Sequence, residues 1–518
     1  MEENVQVHPA VVDKTKLSLP RILSLWDVVM IVIGGIVGSG IFLSPSEIAS
    51  AVPAPVLMMA VWVIGGMFSF FGAVAFAELG AAMPEAGGIY VFLREAYGPL
   101  ISFLFGWTLF LVIDSGSIAT LAVAFSQNIL PRLVDMAPLT KKFLSAAFVV
   151  FLGIVNFIGL KWGSKLQNWT TYLKTAAIVI IVAAVFVFTK GHGAVKNFVE
   201  PGPGPFNLPL LGAFGVGLVA SLWAYKGWEA ATYSAGEVKN PQKNLPLGIL
   251  VGTIAVIVLY ILANLAYLYI MPVGKIAASE GRVALDVMQL ISGPFLAVVI
   301  TVLILFSILG AANQNMLTSP RVYFAMARDG MFFKKIAEVH PKFLTPHISI
   351  IAITVWATLL TLTGTFNQLF TYVIFGEWIF FGMTVASVIV LRKKRPSLER
   401  PYKTWGYPVT PIVFVLAAIY VAYSAITSQF RNSMGGLLII LIGVPAYFSW
   451  RTTRRGIKLA MIGIGLVLAA FFGRFFLLAN AGSVVRGLNY AVGAIALVLV
   501  VAGLVKAFQE KKARAAAA

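Results

Sequence analysis

Gly34-Gly35-Ile36-Val37-Gly38-Ser39-Gly40-Ile41-Phe42 sits inside an apolar segment that begins near Trp26 and runs to about Ala51. A helix that crosses roughly 30 Å of hydrocarbon needs about 20 apolar residues, so the segment reads as one span. Four glycines fall among its positions 34–40. Each weakens a helix by about 1 kcal/mol relative to alanine. In lipid an unpaired peptide group is costly, and broken backbone is tolerated only where it faces protein or a watery cavity. The stretch therefore places bare N–H and C=O groups at membrane depth. Such groups suit a small zwitterion, with N–H groups for a carboxylate and C=O groups for an ammonium.

The rest of the chain agrees with a membrane setting. Of its 518 residues 59% are hydrophobic and only 11% charged, where a soluble domain carries about 25% charged residues. About 14 apolar stretches of spanning length lie between residues 27 and 508. The net charge of +19 is a topological signal and not a nucleic-acid one. Cations gather in alternate connections: Lys239/Lys243, Arg321/Arg328/Lys334/Lys335/Lys342, Arg392/Lys393/Lys394/Arg395 and Arg451/Arg454/Arg455/Lys458. By the positive-inside rule both termini are cytoplasmic in a multi-pass protein of the cell (plasma) membrane, with residues 1–20 and 509–518 as tails. The run from Arg321 to Lys342 reads as a solvated basic face beside anionic lipid. The absence of cysteine excludes a disulfide-linked partner, an iron–sulfur cluster and a thiol nucleophile.

A second interruption lies in the sixth span, Leu222-Trp223-Ala224-Tyr225-Lys226-Gly227-Trp228-Glu229-Ala230. Each ionisable residue at mid-bilayer costs about 2.5–3.5 kcal/mol on insertion scales, so these must face a cavity or one another. Lys226 is one helical turn from Glu229, the spacing of a pair on an intact helix. The two interrupted spans are five helices apart. An odd number of spans per repeat inverts the second copy, and paired interruptions at matching positions point to a transporter site.

At this point several motifs come together. Gly35-Ile36-Val37-Gly38-Ser39-Gly40-Ile41-Phe42 with Ser44-Pro45 resembles the first-helix motif of the amino acid–polyamine–organocation (APC) superfamily. Glu78 with Pro84-Glu85-Ala86-Gly87-Gly88, the loop Gly236-Glu237-Val238-Lys239-Asn240-Pro241, and Thr318-Ser319-Pro320-Arg321 resemble that family's later segments. Pro396-Ser397-Leu398-Glu399-Arg400-Pro401-Tyr402-Lys403 is similar to the loop after helix 10 in its L-type amino acid transporter branch, and the extra C-terminal helices resemble the cationic branch.

The resemblance implies an all-α integral membrane protein with a leucine-transporter-type fold. It would comprise an inverted five-plus-five repeat over 21–190 and 191–404, with helices 1 and 6 broken, and helices 11–14 over 405–508. It places the substrate carboxylate on Gly38, Ser39 and Gly40, and the ammonium on carbonyls at Ile36, beside Val37, and at Trp223 and its neighbours. Trp223 matches a gating aromatic, with Tyr225, Lys226, Glu229 and Glu377 as further substrate-binding candidates. Lys174 in the fifth span matches a lysine that takes the place of sodium, which implies sodium independence. Glu229 matches a glutamate linked to protonation in arginine/agmatine antiporters. Lys226 departs from the family, which has a glycine or an apolar residue there.

Lys174, Lys226, Asp114, Glu229 and Glu377 leave three readings open: a self-neutralising network, proton coupling through Lys174, Glu229 and Asp114, and recognition of a cationic side chain. The leading function is a secondary active transporter of L-amino acids, sodium-independent, and either an exchanger or proton-coupled. A cationic amino acid or polyamine antiporter is the alternative. An ion channel or a membrane enzyme is disfavoured. The four histidines are scattered, no spacing resembles a metal site, and no Walker lysine motif appears. No cofactor is expected, and the partners are an amino acid, lipid and protons.

Overall fold

A computed structural model describes residues 19–187, 193–199, 208–279, 282–363, 366–428, 430–473 and 483–517. Most of the N-terminal tail expected over 1–20 lies outside them. Among the described residues the regular elements are helices, joined by turns and irregular connections, with one isolated bridge between Leu23 and Val238. Among the described residues eleven helices are long and apolar enough to cross a membrane, and Leu210–Ala224 and His347–Leu362 are shorter apolar helices.

The spans, in order, are α1 (Leu25–Ala51), α2 (Pro55–Ala82), α3 (Pro99–Ile129), α4 (Pro138–Phe157), α5 (Leu160–Val187), α6 (Leu208–Ala224, resuming as Ala230–Tyr233) and α7 (Pro241–Ile270). They continue as α8 (Pro294–Thr318, then Pro320–Arg328), α9 (His347–Thr363), α10 (Phe366–Lys394), α11 (Val409–Ser428), α12 (Phe430–Arg451), α13 (Arg455–Phe472) and α14 (Ser483–Ala517). A capping box opens α1: the Asp27 N–H donates to the Ser24 hydroxyl, and the Ser24 N–H donates to the Asp27 carboxylate at 2.8 Å. It fixes where the span begins.

The packing has the symmetry of the repeat. α2 packs on α7, and α4 on α9. α5 packs on α8 while α10 packs on α3, and α1 packs on α7 while α6 packs on α2. Exchanging each span with the one five places away maps this set onto itself. Because each copy holds an odd number of spans, the second runs inverted through the bilayer. α11 lies against α10, α2 and α6. α13 and α14 form a closely packed hairpin on α12.

The fifth span begins ten residues before the apolar stretch near 170, because the amphipathic turns from Leu160 to Trp169 are helical too. Lys174 is therefore fourteen residues past Leu160 and fully buried. Arg321 is not part of a solvated loop. It is fully buried and donates to Glu237 through two nitrogens, at 2.7 and 3.1 Å. A buried guanidinium requires such a partner, and this pair ties α8 to the α6–α7 connection. Residues 509–517, expected as a tail, continue α14.

Candidate substrate site at the two breaks

Both predicted interruptions are real breaks. In α1 the helix ends at Ile36, Val37 leaves helical geometry at ψ 88, and a second half starts at Gly40. In α6 the helix ends at Ala224 and resumes at Ala230. Between them the Lys226 N–H turns back to the Trp223 carbonyl at 3.2 Å, and the Gly227 N–H donates to the Glu229 carboxylate at 3.0 Å.

The breaks touch. Gly227 has φ +128, and a Cβ there would lie 2.3 Å from the Gly35 carbonyl carbon and 2.6 Å from the Ile36 nitrogen. A Cβ on Gly40 would lie 2.7 Å from the Ala224 Cα. Only glycine permits this approach, and at Gly227 only glycine adopts the backbone conformation freely.

A cavity of about 60 Å³ opens where the two segments meet. Ile36, Gly38, Ser39 and Gly40 line it from α1, Trp223 and Lys226 from α6, Ser117 and Thr120 from α3, and Gln314 and Asn315 from α8. By volume it holds roughly five waters. The Ser39 and Thr120 hydroxyls are buried in its wall without a hydrogen-bond partner. A buried polar atom left unpaired in a native protein calls for an explanation, such as an absent ligand. The first-turn N–H groups at Gly40 and Ile41 have no intrahelical acceptor and carry the partial positive charge of a helix start. A second cavity of about 180 Å³ shares Ser39 and runs past Phe42, Asn128 and Ile304 to Arg282, away from the basic end of the bundle.

The other candidates fall into place around this cavity. Lys226 is ion-paired with Glu377 of α10 at 2.8 Å and donates to the Ser117 hydroxyl at 3.3 Å. The expected Lys226–Glu229 pair does not form, because the helix is open between them and one-turn spacing has no meaning there. The Glu229 carboxylate caps the break instead. Asp114 follows a π-turn, Leu109–Ile113, and accepts from the Ser319 hydroxyl at 2.5 Å, which joins α3 to the bend of α8. Lys174 donates to the Gly34 carbonyl from a point between α1 and α8, since a Cβ on Gly310 would lie 3.0 Å from its nitrogen.

Four substrate-binding candidates do not line the cavity: Tyr225, Val37, Glu377 and Glu229, whose carboxylate is taken up by the break. Tyr225 points into an aromatic cluster, with Trp62 at 5.7 Å and Tyr260 at 5.1 Å between ring centres. The Val37 carbonyl accepts from Ser307 at 3.4 Å. Glu377 stands behind Lys226. Ile36 lines the cavity, but its carbonyl already accepts the Gly38 N–H and the Tyr260 hydroxyl, both at 2.9 Å. Sequence reasoning overlooked Ser117, Thr120, Gln314 and Asn315. Their signal was polarity inside apolar spans, shared with Asn156, Gln167 and Asn313, which form a separate buried knot between α4, α5 and α8.

A buried cavity at two facing helix breaks, within an inverted repeat, defines a membrane carrier of small molecules. A family profile described as amino acid permease matches residues 23–444. The human b(0,+)-type amino acid transporter 1 is 33% identical over 436 residues, covering 83% of this chain and 88% of that one. The serine/threonine exchanger SteT of Bacillus subtilis (strain 168) is 30% identical over 435 residues, covering 84% and 97%. The human cystine/glutamate transporter is 29% identical over 442 residues, covering 84% and 86%. The chain belongs to the amino acid permease family of the APC superfamily and is an amino acid transporter, not an enzyme.

Proposed function

We propose that the protein is a secondary carrier that exchanges L-amino acids across the plasma membrane by alternating access, with both termini cytoplasmic. The substrate carboxylate lies against the Ser39 hydroxyl and the N–H groups that open the second half of α1. The ammonium lies toward the open end of α6 at Ala224, and Trp223 covers the bound molecule. The observation that carries this reading is the Ser39 hydroxyl, buried in the shared cavity with no partner. A hydroxyl and a helix start facing one space form an anion site.

Exchange is supported by the likeness to a relative named a serine/threonine exchanger. Sodium independence is supported by Lys174, whose ammonium already fills the space between α1 and α8. Proton coupling is a second reading, favoured by three buried carboxylates, Asp114, Glu229 and Glu377, around the single ammonium of Lys226. The test is counterflow in proteoliposomes. Labelled amino acid should accumulate against an internal unlabelled pool, and Ser39→Leu should abolish this without loss of folded protein. Unchanged counterflow in Ser39→Leu would remove the site from α1.

A further inference from the structure

The cavity has a head end and a side-chain end, and the second differs from the first in chemistry. Its α3 wall presents the Thr120 hydroxyl, 4% exposed and without a partner. In the same lining stands Lys226, the one charged residue there among the described residues. The Lys226 side chain is 13% exposed and that of its partner Glu377 only 4%, so the ammonium forms the wall and the carboxylate lies behind it. An ammonium has three donors. One goes to Glu377 and one to Ser117, which leaves one for a ligand. Thr120 lies one helical turn from Ser117 on α3, the residue that Lys226 bonds, and all three line the same cavity.

We infer that Lys226 and Thr120 select amino acids with a short, oxygen-bearing side chain, serine and threonine being the type, by hydrogen-bonding that oxygen. The inference rests on the site proposed above and gives it a substrate class. Apolar side chains are rejected because they leave the ammonium and the hydroxyl buried and unsatisfied, and a site built to bond a hydroxyl discriminates strongly against analogues that lack one.

The test is competition in proteoliposome counterflow, with serine, alanine and leucine ranked by the concentration that halves labelled serine uptake. The wild type should prefer serine to alanine by at least about tenfold, the value of one charge-assisted hydrogen bond. Removing Lys226 alone would strand Glu377 and endanger folding, so the informative pair is Glu377→Gln and Lys226→Met/Glu377→Gln. The single variant keeps the donor and should keep the preference. The double variant should lose it and admit leucine, and Thr120→Val should move partway. Equal affinity for the three amino acids in the wild type, or identical selectivity in the two Glu377 variants, would overturn the inference. If Ser39→Leu transports normally, the underlying site is wrong. If Ser39→Leu is inactive and selectivity stays unmoved in the double variant, only the role of Lys226 and Thr120 fails.

Discussion

Replacing Gly227 by alanine tests how closely the two breaks must meet. The added methyl group would sit 2.3 Å from the Gly35 carbonyl carbon and 2.6 Å from the Ile36 nitrogen, both backbone atoms that cannot swing aside. Carbon atoms prefer about 3.5–4.0 Å, so the segments must separate by more than about 1 Å. Backbone strain adds to this, because φ is +128 at Gly227 and such conformations cost a side-chain-bearing residue about 1–3 kcal/mol. Overpacking of a tight contact costs typically another 1–3 kcal/mol. Together these give about 2–6 kcal/mol against the arrangement in which both breaks grip one molecule. At about 1.4 kcal/mol per decade the lower figure alone is roughly a 30-fold loss of transport. The assay is counterflow beside a melting curve in detergent. Substantial folded protein with transport down at least about 30-fold is expected. A Gly227→Ala protein that transports like the wild type would refute the claim that contact between the breaks forms the site.

Other outcomes follow from the same geometry. Exchange should persist when sodium is replaced by choline, and Lys174→Met should lower it at least about tenfold, since the α1 break loses its anchor at Gly34; strict sodium dependence would refute the role of Lys174. Glu237→Gln should lower stability by about 3–5 kcal/mol, read as a falling melting temperature, because it strands the buried Arg321; a Glu237→Leu/Arg321→Met protein should recover part of it. Tyr225→Phe should leave the KM of exchange within about twofold, because the hydroxyl has no partner and the ring packs away from the cavity; a large rise in KM would place Tyr225 at the substrate.

The breaks were legible in the sequence because glycine runs and charges violate what a lipid-facing helix tolerates. Asp114, Lys174, Lys226, Glu229 and Glu377 stood out for the same reason; four of them are buried, and Lys226 is partly buried at the cavity wall. Their partners were not legible. The expected pair of Lys226 with Glu229 assumed a regular helix where the chain abandons one, and the true partner, Glu377, comes from α10. The aromatic neighbours of Tyr225 were hidden on the same ground, since periodicity assigns no face to an irregular segment. The burial of Arg321 was hidden because a cation at a span end ordinarily meets water, and only packing brings Glu237 beneath it. The wall from α3 and α8 was hidden among other polar residues in apolar spans, and one dimension does not tell those that face a cavity from those that bond each other.

The chain has no cysteine, which makes one measurement unusually direct. Ala311 lines the cavity from α8, small and nearly buried, and Ala311→Cys would be the sole thiol in the protein. Its rate of modification by a small water-soluble thiol reagent should fall several-fold when a transported amino acid saturates the carrier, and recover when that amino acid is washed out. A rate that ignores every amino acid the variant still exchanges would mean that substrate binds somewhere other than between the broken helices.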